Sequence, residues 1–294
     1  MKATGLDKAA KKTFDEVLSQ LEELPSLPSM VIAVLEVLND PNTSAQELSK
    51  VLSYEQSLAS RVLKLANSAY YGFPRKIDTI SKAVTILGYN SIRNIILVTN
   101  LFDSLDKGAE ARSLDRRHFW QHSLACGAAA QVIGTKLGCK NGEEIFLAGL
   151  LHDIGKVVLD AFLHDKYAEV FMFSQEQNLL LLEAENKILG VSHADFGRFL
   201  ADTWNLPHSL TAAIAHHHDP QATEEHFILT SLVHIGDILT RALEVGNGGD
   251  NQIPVIDAHA WAALSMKPAL LENIIADFED KLTQVQTFLP DDLA

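Results

Sequence analysis

The sequence predicts an all-α protein made of two packed helical domains. Apolar residues recur at every third or fourth position through most of the 294-residue chain, as they do on the buried face of a helix. No segment alternates apolar and polar residues in the manner of a strand, and no internal repeat is visible. The stretch 106–113 is polar and lacks large apolar side chains, so we expect domains at 1–108 and 109–294.

The charge balance and the apolar runs exclude several classes of protein. The chain has 38 acidic and 24 basic residues, which argues against general binding to a nucleic-acid backbone. The longest uncharged run, between Arg117 and Lys136, contains histidine and glutamine and is a poor membrane span. The amino-terminal residues lack the apolar core of a signal peptide, and Cys126 and Cys139 have no metal-type spacing. We expect a reduced, cytoplasmic protein without a membrane span.

The amino-terminal half begins with three predicted helices. An apolar stripe predicts the first over residues 13–24, and the prolines of Leu24-Pro25-Ser26-Leu27-Pro28 end it. The second is predicted over residues 30–38. Ser44 followed by Glu47 is a capping-box pattern, which predicts the start of the third helix.

An aromatic corner and a glycine mark the next part of the chain. Residues 56–69 place their apolar side chains on one helix face, and the turn Tyr70-Tyr71-Gly72-Phe73-Pro74 follows. We expect Leu65 and both tyrosines to be mostly buried, because aromatic residues at a helix end usually serve a core. A helix is predicted over 80–87, where Gly88 ends it, and a longer helix follows.

The run Gly149-Leu150-Leu151-His152-Asp153-Ile154-Gly155-Lys156 places a histidine and an aspartate at the end of an apolar helix predicted over 143–151. We expect the pair on the last turn of that helix, with Gly155 as its terminator. An imidazole and a carboxylate suit a divalent transition metal. The alternative is a helix-capping aspartate beside a core histidine.

Two more polar residues fall on apolar helix faces. His122 lies on the inward face of a helix predicted over 116–137, where a hydrogen-bonded core histidine is the ordinary interpretation. Asp237 lies in the middle of a helix predicted over 225–243, where either a metal or a salt bridge would satisfy its carboxylate.

Caps and prolines predict the remaining helices. Residues 167–182 are leucine-rich and helical, and Ser192 is placed to cap a helix that begins at His193. Pro207 starts the helix that ends at His216-His217-His218-Asp219-Pro220. Residues 257–288 predict one or two closing helices.

Three motifs of the chain carry a family resemblance. They are Leu24-Pro25-Ser26-Leu27-Pro28, Arg61-Val62-Leu63-Lys64-Leu65-Ala66-Asn67-Ser68-Ala69-Tyr70-Tyr71-Gly72 and Ala83-Val84-Thr85-Ile86-Leu87-Gly88. Together they resemble the HDOD domain, an all-helical family of bacterial signalling proteins distantly related to the HD metal-dependent phosphohydrolases. The resemblance covers about residues 24–220. It implies that 1–108 is an HDOD subdomain and that 109–294 is an HD-like metal-site domain with closing helices.

The HD-type hydrolases also resemble the chain residue by residue at their metal ligands. The simplest site of this type needs His122, His152, Asp153 and Asp237. Members with two metals add further histidines and use Asp153 as the bridge. The implied ligand set is therefore His122, His152, Asp153, His193, His217, His218 and Asp237. The implied cofactor is one or two divalent ions of iron, manganese, zinc or cobalt.

The remaining candidates are weaker. Asp153 and Lys156 are the implied catalytic residues, since the Lys156 ammonium could offset the charge of a phosphate. His234 shares a helix face with Asp237 at i, i+3, and His216 would exchange with His217 on a shift of one residue. The histidines expected on the surface or in the core are His118, His164, His208, His226, His234 and His259.

Two functions stay open at this point. The first is a regulatory or output module of bacterial signal transduction, with a protein partner and a retained metal site. The second is a metal-dependent phosphohydrolase acting on a nucleotide or another phosphate ester. Cyclic di-GMP is the less expected substrate, because the paired histidines continue into Asp219-Pro220 and not into a glutamate and a glycine-tyrosine-proline element. We favour the signalling function, with metal binding ahead of catalysis.

Overall fold

The computed structural model describes Val34, Val37 and residues 43–52, 56–68, 70–73, 76–106 and 113–285. Within these residues it contains thirteen α-helices, one short 3-10 helix and no strand, so the predicted all-α class is confirmed. The described residues between 34 and 106 belong to one compact unit, and those between 113 and 282 belong to another. Residues 107–112 lie outside the described part, and the domain boundary at 108 and 109 stays a prediction.

The first unit contains three described helices, α1 (Ala45–Leu52), α2 (Gln56–Ala66) and α3 (Ile80–Asp106). The predicted capping box is confirmed at α1, where the Ser44 N–H donates to Glu47 Oε2 at 2.8 Å and the Glu47 N–H donates to Ser44 Oγ at 3.2 Å. The predicted helices at 13–24 and 30–38 lie outside the described residues, apart from Val34 and Val37, which are helical.

Gly88 interrupts α3 where the sequence predicts a helix end. Its backbone is non-helical (φ 81°, ψ 166°), so two helical stretches meet at a kink within the range of α3, and the predicted helix break at Gly88 is confirmed. A positive φ of this size is comfortable for glycine and strained for other residues.

Asn67 holds the aromatic corner that follows α2. Its Nδ2 donates to the Ile77 carbonyl at 2.7 Å, and the Ile77 N–H donates to Asn67 Oδ1 at 2.7 Å. Leu65 is buried, as predicted, and Tyr70 and Tyr71 are partly buried and pack edge to face with ring centroids 4.8 Å apart. Asn67, in the motif Leu65-Ala66-Asn67-Ser68, thus fixes the position of the backbone at Ile77 through two hydrogen bonds.

The second unit contains the remaining helices, and α13 belongs to it through Leu282. They are α4 (Arg116–Lys136), α5 (Gly142–Leu151), α6 (Ile154–Phe162), α7 (His164–Gln177), α8 (Leu181–Ile188), α9 (His193–Thr203), α10 (His208–His216), α11 (Phe227–Ala242), α12 (Ala258–Ala263) and α13 (Pro268–Val285).

Two predictions about these helices are wrong. The helix expected over 167–182 is two helices, because Asn178 adopts a left-handed conformation (φ 55°) that ends α7. Gly155 does not end a helix. It lies in the first turn of α6, and only His152 and Asp153 separate α6 from the end of α5. The predicted start at Ser192 is confirmed, since its side chain accepts a hydrogen bond from the Asp195 N–H at the beginning of α9.

Helices α4, α5 and α11 form the centre of this unit. Ala130, Ile133, Ile145, Leu232 and Ile235 are buried together in its hydrophobic core. A Cβ added to Gly149 on α5 would lie 2.7 Å from the Gly127 Cα on α4, so only glycines allow the two backbones to approach this closely. None of the helices in the described part of the chain is both long and apolar enough to span a membrane.

Candidate metal centre

The seven residues implied as metal ligands converge in the second unit. Their donor atoms form two groups, and within each group all donor atoms lie within 4.8 Å of one another. We name these the Asp153 group, with His193, His217 and His218, and the Asp237 group, with His122 and His152. Six of the seven side chains are buried, and His218 is partly buried.

The helix boundary at His152 and Asp153 aims both side chains into the centre. His152 is the carboxy-terminal cap of α5, and Asp153 occupies the position before the first residue of α6. Asp153 makes no side-chain capping bond to α6, which excludes the interpretation of a helix-capping aspartate beside a core histidine. Its carboxylate is fully buried and faces histidines instead.

Three histidines turn the same ring atom toward the carboxylates. The Nδ1 atoms of His152 and His217 lie 2.6 and 2.9 Å from the carbonyl oxygens of Gly149 and Ile214. His193 Nδ1 lies 2.7 Å from the Glu185 carboxylate. Because only an N–H can bond to these oxygens, Nδ1 carries the proton and Nε2 is left with a lone pair in the neutral ring.

The freed Nε2 atoms point at oxygen atoms that also carry lone pairs. His193 and His217 Nε2 lie 3.1 and 3.5 Å from Asp153 Oδ1. His152 Nε2 lies 3.2 Å from Asp153 Oδ2. Acceptors facing acceptors in a buried site repel unless a proton or a metal cation lies between them. Each oxygen of Asp153 thus faces a different group of histidines.

The Asp237 group has a permanent cation beside it. Asp237 Oδ1 lies 2.9 Å from His122 Nε2 and 3.7 Å from His152 Nε2, and it accepts a hydrogen bond from Arg241 Nε at 2.9 Å. Arg241 also donates to Asp250 at 3.0 Å. Both interpretations of Asp237 are therefore compatible with the structure: the nearby histidines fit a metal ligand, and the bond from Arg241 fits a salt-bridge partner.

Glu185 and Tyr167 belong to the centre, although the sequence analysis did not identify them. The buried Glu185 carboxylate accepts from the Tyr167 hydroxyl at 2.7 Å and from both the backbone N–H and Nδ1 of His193, at 2.9 and 2.7 Å. No local pattern links Glu185 to His193 eight residues later. Arg241 could have been found, because it follows Asp237 by four residues on one helix.

Lys156 is fully buried beside Asp153. Its Nζ donates to Asp153 Oδ2 at 2.5 Å and to the Gly248 carbonyl at 2.6 Å. Gly248 belongs to a glycine-rich segment, residues 246–250, that we call the glycine loop. This loop covers His122, because a Cβ at Gly248 would lie 3.2 Å from His122 Nε2.

The carboxylates of the centre are held in the charged form. Burial disfavours their charge, but His152 and Lys156 beside Asp153 hold the pKa of this carboxyl well below its ordinary value. At Asp237 burial is outweighed by Arg241 and His122, and the pKa is also well below its ordinary value.

The histidines divide into two sets. Burial opposes protonation of His152 and His193, yet Asp153 raises the pKa of His152 well above 6.5 and Glu185 raises that of His193. Burial lowers the pKa of His217 to about 4. Burial and the neighbouring His217 lower the pKa of His218 well below its ordinary value. Burial also lowers the pKa of His122. Without a metal, protonation is therefore favoured at His152 and His193 and disfavoured at His217, His218 and His122. A metal binds the neutral imidazole, so its binding would release the protons of His152 and His193.

The donor geometry fits a divalent metal. Ligands at about 2.0–2.2 Å from one ion lie roughly 3–3.6 Å from each other, and the donor pairs around Asp153 and Asp237 are 2.9–3.8 Å apart. His122 Nε2, His152 Nε2 and Asp153 Oδ1 are buried and make no hydrogen bond of acceptable geometry within the described residues. These are the orphaned polar atoms that a metal would satisfy.

The other histidines lie outside both groups. His234 uses both ring nitrogens, since Nδ1 donates to the His217 carbonyl at 2.7 Å and Nε2 accepts from the Asp257 N–H at 2.9 Å. His216 is partly buried and does not join His217 in the Asp153 group.

Fold and site thus define an all-helical protein with a buried centre of histidines and aspartates. A family model for the HDOD domain matches residues 24–220, about two thirds of the chain. The chain belongs to the HDOD family.

Known proteins that resemble the chain agree with this family. An HDOD domain protein of unknown function from Geobacter sulfurreducens is 25% identical, with a TM-score of 0.74 over 95% of this chain and 99% of that chain. A protein named "Putative phosphohydrolase" from Shewanella amazonensis SB2B shares the fold, with 22% identity and a TM-score of 0.71 over 93% of this chain and 98% of that chain. An "Uncharacterized protein" of Treponema pallidum (strain Nichols) is 26% identical over 242 residues, 81% of this chain and 46% of that protein. The chain spans less than half the length of this curated relative.

Proposed function

We propose that the chain is a regulatory or output module of bacterial signal transduction that binds one or two divalent transition metal ions at the Asp153 and Asp237 groups. Membership of the HDOD family supports the signalling part of the proposal. One observation carries the metal part: the Nε2 lone pairs of His152, His193 and His217 converge on the oxygens of one buried carboxylate. Iron, manganese, zinc and cobalt all accept this donor set.

The protein's own residues define what a metal would do here. Donors come from α4, α9 and α11, from the junction of α5 and α6, and from the segment after α10. A bound ion supplies the positive charge that lets these buried donors approach one another. Metal occupancy of the centre therefore controls how firmly these helices are held together. We propose that a partner protein recognises the outer surface of the helices that carry the donors.

Burial favours regulation over catalysis. Six of the seven candidate ligands are buried, and Lys156, the residue expected to offset a phosphate charge, is bonded to Asp153 and to the glycine loop.

Metal analysis tests the proposal directly. Protein purified without a chelator is expected to carry about one or two equivalents of a transition metal, and metal-free protein is expected to gain thermal stability when manganese, iron or zinc is added. Less than a trace of metal, together with no gain in stability, would overturn the metal site.

One observation favours a phosphohydrolase as the second candidate. The two oxygens of Asp153 face different histidine groups, the arrangement in which a carboxylate bridges two ions in two-metal hydrolases. The metal-loaded protein should be assayed with bis(p-nitrophenyl) phosphate, a panel of nucleotides and cyclic di-GMP. The regulatory proposal expects no turnover above that of the metal-free protein. Turnover that the Asp153→Ala variant loses would establish the hydrolase instead.

A further inference from the structure

The two ligand groups differ in the fixed charges that stand behind them. Behind the Asp237 group stands Arg241, whose side chain is only 6% exposed and bonds to the Asp237 oxygen that faces both histidines. Lys156 bonds to the Asp153 carboxylate, which both groups share, so its positive charge affects both groups. The two groups therefore differ in charged neighbours: Arg241 lies beside the Asp237 group, and Glu185 lies beside the Asp153 group.

Glu185 stands behind the Asp153 group with the opposite charge. Its Oε2 accepts both the backbone N–H and Nδ1 of His193, which fixes the ring orientation and leaves Nε2 3.1 Å from Asp153 Oδ1. The Tyr167 hydroxyl holds the other carboxylate oxygen at 2.7 Å. A carboxylate on the far nitrogen of a ligating histidine orients the ring and raises its basicity.

Two buried cations close together repel each other strongly, whereas a buried carboxylate attracts a cation. The Asp153 group offers three imidazoles, one carboxylate oxygen without an acceptable hydrogen bond in the described chain, and the Glu185 charge. The Asp237 group offers two imidazoles and a carboxylate that Arg241 binds, and the buried Asp250 carboxylate in turn pairs with Arg241 at 3.0 Å. Arg241 and Asp250 together therefore add no net negative charge behind this group.

We infer that the two positions have unequal metal affinity, that the Asp153 group fills first, and that Glu185 is the positioning residue that gives it this preference. The inference rests on the proposed metal site and adds the order of filling. The Asp237 group, including His122 and His152, then takes a second ion more weakly, because a neutral backbone carbonyl orients the His152 ring where the Glu185 carboxylate orients His193, and because Asp250 and Arg241 offset each other's charge.

Competition titration tests the order of filling. Metal-free protein would be titrated with zinc and with manganese against a chromophoric chelator. Wild-type protein is expected to show a tighter and a weaker class of site. Glu185→Gln is expected to weaken the tighter class about 10- to 100-fold and to leave the weaker class unchanged, the usual effect of losing an outer partner of a ligating histidine.

The chain offers a matched control on the same helix. Glu183→Gln makes the same change in charge at an exposed position of α8, and it is expected to leave both classes unchanged. Asp237→Asn should remove the weaker class and keep the tighter one. If Asp237→Asn removes the tighter class, or if Glu185→Gln affects only the weaker class, the inference is overturned.

A spectroscopic measurement separates positioning from a loss of fold. The visible absorption of the first cobalt equivalent is expected to change in Glu185→Gln and not in Glu183→Gln, with circular dichroism confirming the helical content of each variant. Tyr167→Phe keeps the Glu185 charge and removes one bond to it, so it should weaken the tighter class by a smaller factor. If both Glu185→Gln and Tyr167→Phe bind the first ion as wild type does, Glu185 has no positioning role.

The outcomes also distinguish this inference from the proposed function. No binding to wild-type protein would overturn both. Wild-type binding with a tighter class that depends on Asp237 and not on Glu185 would overturn only the order of filling.

Discussion

Asp153 is the residue on which both ligand groups depend. Its Oδ2 faces His152 and accepts from Lys156, while its Oδ1 faces His193 and His217. Removing the carboxylate leaves the Lys156 ammonium and the surrounding imidazoles without their shared anion in a buried site.

We therefore expect Asp153→Ala to release bound metal from both groups and to lower the free energy of unfolding by about 3–5 kcal/mol, the range found when one partner of a buried ion pair is lost. Metal content and denaturant unfolding of the same preparation measure the two effects. Asp219→Ala is the control, because Asp219 is exposed next to His218 and makes no side-chain capping bond. Retention of metal by Asp153→Ala would contradict the bridging role of this carboxylate.

At the scale of elements, glycines decide how closely the ligand-bearing segments approach. A Cβ on Gly155 of α6 would overlap the His193 carbonyl oxygen and lie 2.7 Å from the Gly197 backbone nitrogen of α9. This contact brings Asp153, two residues before Gly155, close to His193.

Gly155→Ala is expected to push α6 away from α9 and to destabilise the protein by at least 1–3 kcal/mol, the usual cost of overpacking, because backbone atoms cannot yield as a flexible side chain can. Thermal unfolding and metal content would both fall. Gly142→Ala is a suitable control, since its nearest contact is the Gln131 side chain at 3.3 Å. Equal stability of the two variants would show that the α6–α9 contact does not place the ligands.

Helix α4, which carries His122, has an acidic cap. The Asp115 carboxylate accepts the His118 backbone N–H at 3.1 Å and lies 2.7 Å from His118 Nδ1. Burial opposes the charge, but the side-chain and backbone bonds of His118 together outweigh it and lower the pKa of Asp115 below 3.8.

A lowered folded-state pKa means that this contribution is present above the unfolded pKa and is lost as the pH falls through the folded one. Asp115→Ala should therefore cost about 1 kcal/mol at neutral pH, as for other helix caps, and progressively less as the pH falls below 3.8. Denaturant unfolding of both proteins across this pH range measures the difference. A difference that grows toward acid would contradict the cap.

At the scale of the whole molecule, the proposed metal binding is expected to stabilise the folded chain. The candidate ligands lie on segments spread from residue 122 to residue 237 in the sequence. An ion that binds only the folded chain stabilises it by about 2.7 kcal/mol when its free concentration is one hundred times its Kd.

We expect chelation to lower the melting temperature while far-ultraviolet circular dichroism at low temperature stays helical, because the helices also pack through an apolar core that contains no ligand. Reloading with manganese or zinc should restore the melting temperature. Loss of helical signal on chelation at low temperature would mean that the metal is required to form the helices.

The sequence by itself determined the helical class, because helical periodicity, caps and turn residues are local signals. It also indicated the candidate ligands through the family resemblance, and the structure brings the side chains of His122, His152, Asp153 and Asp237 close together. Sequence reasoning was less successful at junctions: a left-handed Asn178 and a second helix directly after Asp153 depend on the packing around them.

Only the tertiary structure decided how the ligands are grouped and which charges stand behind them. Asp153 joins His193, His217 and His218 as one group because α6 touches α9 at Gly155. Glu185 reaches His193 and the glycine loop reaches Lys156 across separations that leave no periodic trace in the sequence. Helical periodicity reports which face of a helix is buried, whereas the partner that a buried polar group meets depends on which helices pack together.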